Sequence, residues 1–265
     1  MNPRPIGVFD SGVGGLSVLR EIRAVLPNED LLYVADSRHV PYGDKPAEFV
    51  EARAIALTRF LAEQGAKAIV VACNTATTIA IAALRRRFAV PIVGMEPAVK
   101  PAAQTTRAGR VGVLATSGTL ASDKFASLLA NFGGGVDVHV QPCRGLVERV
   151  EGGAVADRET VALVEKYVTP LTRRGVDTIV LGCTHYPFLR TLIAEVAGPG
   201  VSILDPSTAV ARELRRRLDE DNLGAPAGRS GKEKFWTSAD PQQARRVISQ
   251  LWGADVAVMQ LPELE

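Results

Sequence analysis

Two thiols and their neighbours carry the clearest chemical signal in this chain. Cys73 closes the run Ile69-Val70-Val71-Ala72 and is followed by Asn74-Thr75. Cys183 closes Ile179-Val180-Leu181-Gly182 and is followed by Thr184-His185. The two segments lie 110 residues apart and share one character: an apolar strand, a Cys, then small polar residues that open a helix. A thiol titrates near about pH 8.5 unless a helix N-terminus or a suitable neighbour lowers that value. Each thiolate is then a candidate general base or nucleophile. Two identical groups in equivalent settings suit a nearly mirror-symmetric reaction such as racemisation, where one group removes a Cα proton and the other returns one from the opposite face. A cysteine-nucleophile hydrolase or acyltransferase needs only one of them. A buried Cys at a strand end is also commonly just a small hydrophobe, which accounts for a single case better than for a matched pair. Cys143, in Gln141-Pro142-Cys143-Arg144, has no counterpart and reads as structural. No C-x-x-C is present and Cys183-x-His185 is not standard ligand spacing, so no metal is expected.

Asp10-Ser11-Gly12-Val13-Gly14-Gly15 follows an apolar run and precedes a helix. Its glycines allow close backbone approach and offer N–H groups to an anion. Ser17 stands where a dinucleotide fingerprint needs its third Gly, so a bound carboxylate suits the loop at least as well as a phosphate. Asp10 either caps the helix or orients a substrate ammonium and assists a nearby thiol. His185, two residues from Cys183, is favoured as a catalytic partner of that thiol. Val40-Pro41-Tyr42-Gly43 is a turn by composition. Glu148 and Glu151 sit on a short helix over 146–151 and, by residue type alone, read as solvated charge.

The elements that must position these residues alternate along the chain. Short apolar runs at 6–9, 31–35, 68–72, 111–114, 136–140, 178–181 and 201–204 are separated by amphipathic stretches such as 16–25, 47–64, 75–88, 122–132 and 157–174. That alternation predicts an α/β fold with mainly parallel sheets flanked by helices. The tail adds a strand near 234–237, a helix opening with Asp240-Pro241 and a strand near 255–261, after a polar loop over 219–234. Ile6-Gly7-Val8-Phe9-Asp10-Ser11 is echoed 105 residues later by Val111-Gly112-Val113-Leu114-Ala115-Thr116. Together with the two cysteine segments, the echo predicts two pseudo-symmetric lobes, 1–97 plus 207–265 and 98–206, with the site in the cleft between them.

Composition narrows the function classes. With 31 Lys+Arg against 29 Asp+Glu the net charge is +2, which does not suggest a nucleic-acid partner. The longest apolar stretches, such as 68–73, are far short of the ~18 residues a membrane span needs. An odd count of three cysteines argues against a disulfide framework, and the N-terminus lacks a secretory apolar region, so a cytoplasmic location is expected.

The residues also resemble a known family. Gly7-Val8-Phe9-Asp10-Ser11-Gly12-Val13-Gly14-Gly15, Val40-Pro41-Tyr42-Gly43, Ala72-Cys73-Asn74-Thr75-Ala76 and Gly182-Cys183-Thr184-His185-Tyr186-Pro187 resemble the glutamate racemases of the aspartate/glutamate racemase superfamily, over essentially the whole length. The resemblance implies a cofactor-independent racemase that supplies D-glutamate for peptidoglycan, with glutamate as its small-molecule partner; a homodimer is typical of the family. It implies that Cys73 and Cys183 are the two acid/base residues, Cys73 assisted by Asp10, and Cys183 by His185 and Glu151, with Glu148 the alternative to Glu151. Substrate contacts would come from Asp10, Ser11, Tyr42, Gly43, Asn74, Thr75, Thr116, Thr119, Thr184 and His185. Aspartate and hydantoin racemases are the nearest rivals. Aspartate racemases typically carry Glu where His185 stands, so Cys-Thr-His favours glutamate. Optical rotation of L-glutamate and of L-aspartate incubated with the protein discriminates between them: loss of the glutamate signal is expected, and loss with aspartate alone would reverse the assignment.

Overall fold

The computed structural model describes residues 2–132 and 135–264. Its strands are β1 (Ile6–Asp10), β2 (Leu31–Ala35), β3 (Ala68–Val71), β4 (Ile92–Gly94), β5 (Arg110–Ala115), β6 (Asp137–Pro142), β7 (Thr178–Gly182), β8 (Ser202–Leu204), β9 (Glu233–Thr237) and β10 (Val258–Gln260). The helices are α1 (Leu16–Val25), α2 (Ala47–Glu63), α3 (Asn74–Arg87), α4 (Val99–Thr105), α5 (Ser117–Leu120), α6 (Asp123–Phe132), α7 (Leu146–Glu151), α8 (Arg158–Arg173), α9 (Arg190–Ala197), α10 (Ser207–Glu220) and α11 (Pro241–Trp252).

The strands form two parallel sheets, in the order β10-β9-β2-β1-β3-β4 and β6-β5-β7-β8. The order β2-β1-β3-β4 recurs as β6-β5-β7-β8, so the sequence echo is a repeat of topological position: β1 corresponds to β5 and β3 to β7. β9 and β10 extend only the first sheet. Strands β1, β2, β3 and β7 are buried along their whole length, as apolar runs covered on both faces must be. Alternate side chains of the first sheet enter different cores. Ile6, Val8 and Tyr33 pack with Leu16, Leu19, Ile22 and Leu214, while Phe9, Val34 and Val71 pack with Leu57, Leu61 and Leu84. The first of these clusters continues into the second sheet through Val147, Val150, Leu171 and Ile179. Val111, Val113 and Phe125 fill the opposite face of that sheet.

Register decides where the chemistry lands. Phe9 pairs with Val71 in one sheet, and Ala115 with Gly182 in the other. Asp10 and Cys73 therefore lie at the carboxyl edge of the first sheet, and Thr116 and Cys183 at that of the second. Asp240 caps α11 by accepting the Gln243 N–H at 2.8 Å, with Pro241 at the first helical position. The strand expected over 255–261 narrows to Val258–Gln260. β4 escapes a pattern reading because three residues after Pro91 are too few to show a period. Among the described residues no helix is long and apolar enough to cross a membrane.

The edges of the two sheets approach each other through glycine. A Cβ on Gly118 of α5 would lie 2.6 Å from the Gly43 carbonyl oxygen, and one on Gly43 would lie 2.8 Å from the Thr116 side chain. Gly118→Ala must push two backbones apart, at an expected cost of about 1–3 kcal/mol. Thermal denaturation should show a lower Tm; an unchanged Tm would mean the two segments separate freely.

Candidate active site

Cys73 has extended backbone (φ −143°, ψ 121°) and serves as the N-cap of α3, its Sγ accepting the Ala76 N–H at 3.4 Å. Its other neighbour is the Ser11 hydroxyl, 3.8 Å away. Burial pushes the Cys73 thiol well above its usual range, and the charges of Asp10 and of a Cys183 thiolate push it further, against the stabilising Ala76 N–H. Asp10 is fully buried. Its Oδ2 accepts the Gly15 N–H at 2.8 Å and the Thr184 hydroxyl at 3.3 Å, and Oδ1 accepts the Ser11 hydroxyl at 3.2 Å. Burial raises this carboxyl; His185 draws it down and Glu151 raises it again.

Cys183 faces a different partner. Its Sγ lies 3.6 Å from His185 Nδ1, and His185 Nε2 lies 2.6 Å from Glu151 Oε1. Burial alone would lower the imidazole; contacts with Cys183 and Glu151 outweigh it and hold His185 well above the ordinary histidine value. By residue type alone Glu148 and Glu151 read as surface charges, and the family resemblance implied Glu151 rather than Glu148 as the partner of Cys183. Glu151 reaches inward to His185, while Glu148 lines an outer cavity of ≈ 700 Å³.

Both sulfurs line one small inner cavity, together with Ser11, Tyr42, Gly43, Asn74, Thr75, Thr116, Thr119, Thr184 and His185. Its volume is ≈ 10 Å³, space for about one water molecule. Asn74 is buried, yet neither its amide nitrogen nor its oxygen has a hydrogen-bond partner. A buried amide in that state is costly unless a ligand completes it. Thr75, Thr116 and Thr119 form a triangle of hydroxyls at 3.0–3.1 Å, bridging α3 and α5. The Tyr42 hydroxyl points away, bonded at 2.5 Å to Asp36, which Arg53 grips through both oxygens. Tyr42 thus meets the cavity beside Gly43 with its phenol already engaged. Among the described residues no Lys or Arg lines the cavity, so an anionic ligand would be held by hydroxyls, the amide, backbone N–H groups and helix N-termini.

The glycine loop does bind carboxylates, but two of them belong to the chain itself. Two of its N–H groups are occupied by the protein's own carboxylates: Val13 donates to Glu151 at 2.6 Å and Gly15 to Asp10 at 2.8 Å. The glycines also make room for side chains. A Cβ on Gly12 would lie 1.9 Å from Glu151 Oε1, and one on Gly14 2.3 Å from His185 Nδ1. Sequence reasoning missed Val147, which lines the cavity, and Ser37, whose hydroxyl donates to Glu151 Oε2 at 3.2 Å. No motif marks either one. Cys143 is buried and donates to the Gln141 carbonyl at 3.3 Å. Among the described residues no group of three or more His, Cys, Asp or Glu is arranged to hold a metal ion.

Residues 6–214 match the family described as Asp/Glu/hydantoin racemase. The chain is 56% identical over 261 residues to the glutamate racemase of Methylococcus capsulatus, covering 98% of this chain and 96% of that protein. Among solved structures, a glutamate racemase isoform from Bacillus anthracis superposes with a TM-score of 0.89 at 32% identity, over 98% of each chain. The Escherichia coli glutamate racemase, solved with L-glutamate and the activator UDP-MurNAc-Ala, gives 0.87 at 33% identity, covering 99% of this chain and 100% of that one.

The contacts of His185 with Cys183 and Glu151 set a pH dependence. Because the folded-state value of His185 lies above its unfolded value, its contribution to stability is complete below about pH 6.5 and is lost as pH rises through the folded value. Glu151→Gln removes the carboxylate and should cost about 3 kcal/mol at pH 6. The deficit should shrink in alkaline buffer. Urea denaturation at both pH values checks this, and an equal deficit would place the loss in packing rather than in charge.

Proposed function

We propose that this chain, which belongs to the Asp/Glu/hydantoin racemase family and is an isomerase that interconverts L- and D-glutamate, carries the Cα proton on two thiols, those of Cys73 and Cys183. The observation that supports this reading is the pair of sulfurs lining one small cavity from equivalent strand ends, Cys183 beside His185 and Cys73 beside the Ser11 hydroxyl. One sulfur, as thiolate, takes the Cα proton. The electron pair of the broken C–H bond moves toward the α-carboxylate, and the opposite thiol gives its proton to the other face of Cα. The product enantiomer leaves a thiol where the thiolate was and a thiolate where the thiol was, so the walls exchange roles with direction.

Electrostatics favour that starting state. A thiolate at Cys183 raises the Cys73 thiol, so ionisation of one sulfur opposes ionisation of the other. One thiolate facing one thiol is therefore favoured over two thiolates, and that is the state the reaction consumes. Protonated His185 stabilises a thiolate at Cys183, and Asp10 serves Cys73 from the opposite wall. Each unit of mismatch between the thiol and the Cα–H costs about 1.36 kcal/mol. Preorganised donors and exclusion of water reduce that gap. Asn74 supplies the unpartnered amide, Thr75, Thr116, Thr119 and Thr184 supply hydroxyls, and the backbone of Ser11, Tyr42 and Gly43 supplies N–H groups for the substrate carboxylates and ammonium. A cavity of ≈ 10 Å³ cannot take glutamate, so the lobes 1–97 plus 207–265 and 98–206 separate to admit it. In the cell, the product would feed peptidoglycan synthesis in the cytoplasm.

Cys73→Ser and Cys183→Ser should each abolish racemisation in both directions, a loss of at least about 10²–10⁴-fold. Exchange of the Cα proton for deuterium from one enantiomer should survive in each single variant, because one base remains. Full racemase activity in either variant would overturn the two-thiol scheme and favour a single nucleophile.

A further inference from the structure

The carboxylate of Glu151 belongs to α7, beside the second sheet, yet two of its donors come from the first sheet's side of the cleft. Oε1 accepts the Val13 N–H at 2.6 Å and lies 2.6 Å from His185 Nε2, while Oε2 accepts the Ser37 hydroxyl at 3.2 Å. A carboxylate bound only through Oε1 can rotate about its terminal torsion. The Ser37 contact removes that freedom by fixing the second oxygen. Gly12 and Gly14 are shaped for the same contact, since a side chain at either would collide with Glu151 or His185. The half of the molecule that carries Cys73 therefore also completes the proton partner of Cys183.

We propose that Ser37 is a positioning residue for the reaction: it holds the Glu151 carboxylate against His185, so the acid–base partner of Cys183 is fully assembled only when the two sides of the cleft are together. The inference rests on the two-thiol reading for its catalytic consequence, but its geometry stands without it. The titratable groups facing the His185–Glu151 pair are Cys183, Asp10 and the Tyr33 hydroxyl, with Cys73 beyond Asp10. Asp36, next to Ser37, is already gripped by Arg53 and the Tyr42 hydroxyl, and Arg149 on α7 is paired with Asp157 and Glu159. Asp36, a carboxylate, has no donor to offer Glu151, and Arg149 cannot replace the Ser37 donor without breaking its own ion pairs. Opening of the cleft would withdraw Val13 and Ser37 from Glu151 together, leaving the thiolate at Cys183 less stabilised while water can reach it.

The test uses the full chain with Ser37→Ala and Ser37→Thr. The two enantiomers have equal free energy, so kcat/KM must fall by the same factor in both directions, and the pH profile and His185 itself are the informative readouts. Ser37→Ala should lower kcat/KM about tenfold, the scale of one hydrogen bond to a charged group. It should also lower the NMR titration midpoint of the His185 imidazole, assignable among only three histidines by comparison with His185→Gln. Ser37→Thr keeps the hydroxyl and should restore both. An unchanged or raised midpoint in Ser37→Ala, or equal losses in Ser37→Ala and Ser37→Thr, would overturn the proposal and leave Ser37 a packing residue. If the unsubstituted chain failed to racemise glutamate while the midpoint still fell, the catalytic reading would fail and the positioning would stand.

Discussion

Burial of ionisable groups in a cavity with room for about one water is the constraint on which the rest of the structure depends. Away from water a thiolate, a carboxylate and an imidazolium each lose hydration, and only fixed neighbours can replace it. Every charged group near the two sulfurs has such neighbours. Asp10 has the Gly15 N–H and two hydroxyls; Glu151 has Val13, Ser37 and His185. Asn74 alone is left with neither amide atom partnered among the residues lining the cavity, and it is the group a ligand would complete. The burial that makes a thiolate costly also strengthens each of these contacts.

The scaffold is repeated but the chemistry on it is not. β1 and β5 are equivalent strands, as are β3 and β7, and their registers bring Cys73 and Cys183 to matching edges. Beyond the sulfurs the halves diverge. The residue equivalent to Asp10 is Ala115, and the residue equivalent to His185 is Thr75. The two sulfurs therefore have different neighbours, the Ser11 hydroxyl backed by Asp10 in one half and an imidazole backed by a carboxylate in the other. A repeat can supply two similar positions; only later substitution at the flanking residues can make them inequivalent.

The glycine-rich loop illustrates how a local reading can foresee a bound carboxylate without saying whose it is. Close backbone approach and available N–H groups follow from its residue types, and both are observed. The approaching anions are Asp10 and Glu151 of the same chain. A loop built for an anion cannot say from its own sequence whether that anion is substrate or side chain.

The sequence by itself determined the α/β class, the strand ends that carry the thiols, the repeat that pairs them and the Asp240 cap. These are local properties, set by apolar runs, by the residues that close them and by spacing along the chain. Residue type and spacing did not say which glutamate reaches His185; the family resemblance pointed to Glu151, and the contact itself is a fact of the tertiary structure. Glu148 and Glu151 are three residues apart on one helix, so they share a face and periodicity cannot separate them. The choice depends on how α7 sits against the glycine loop, a distance set by packing between segments more than a hundred residues apart. Ser37 and Val147 were invisible for the same reason: neither residue type announces a role, and each gains one from what the other half of the molecule places beside it.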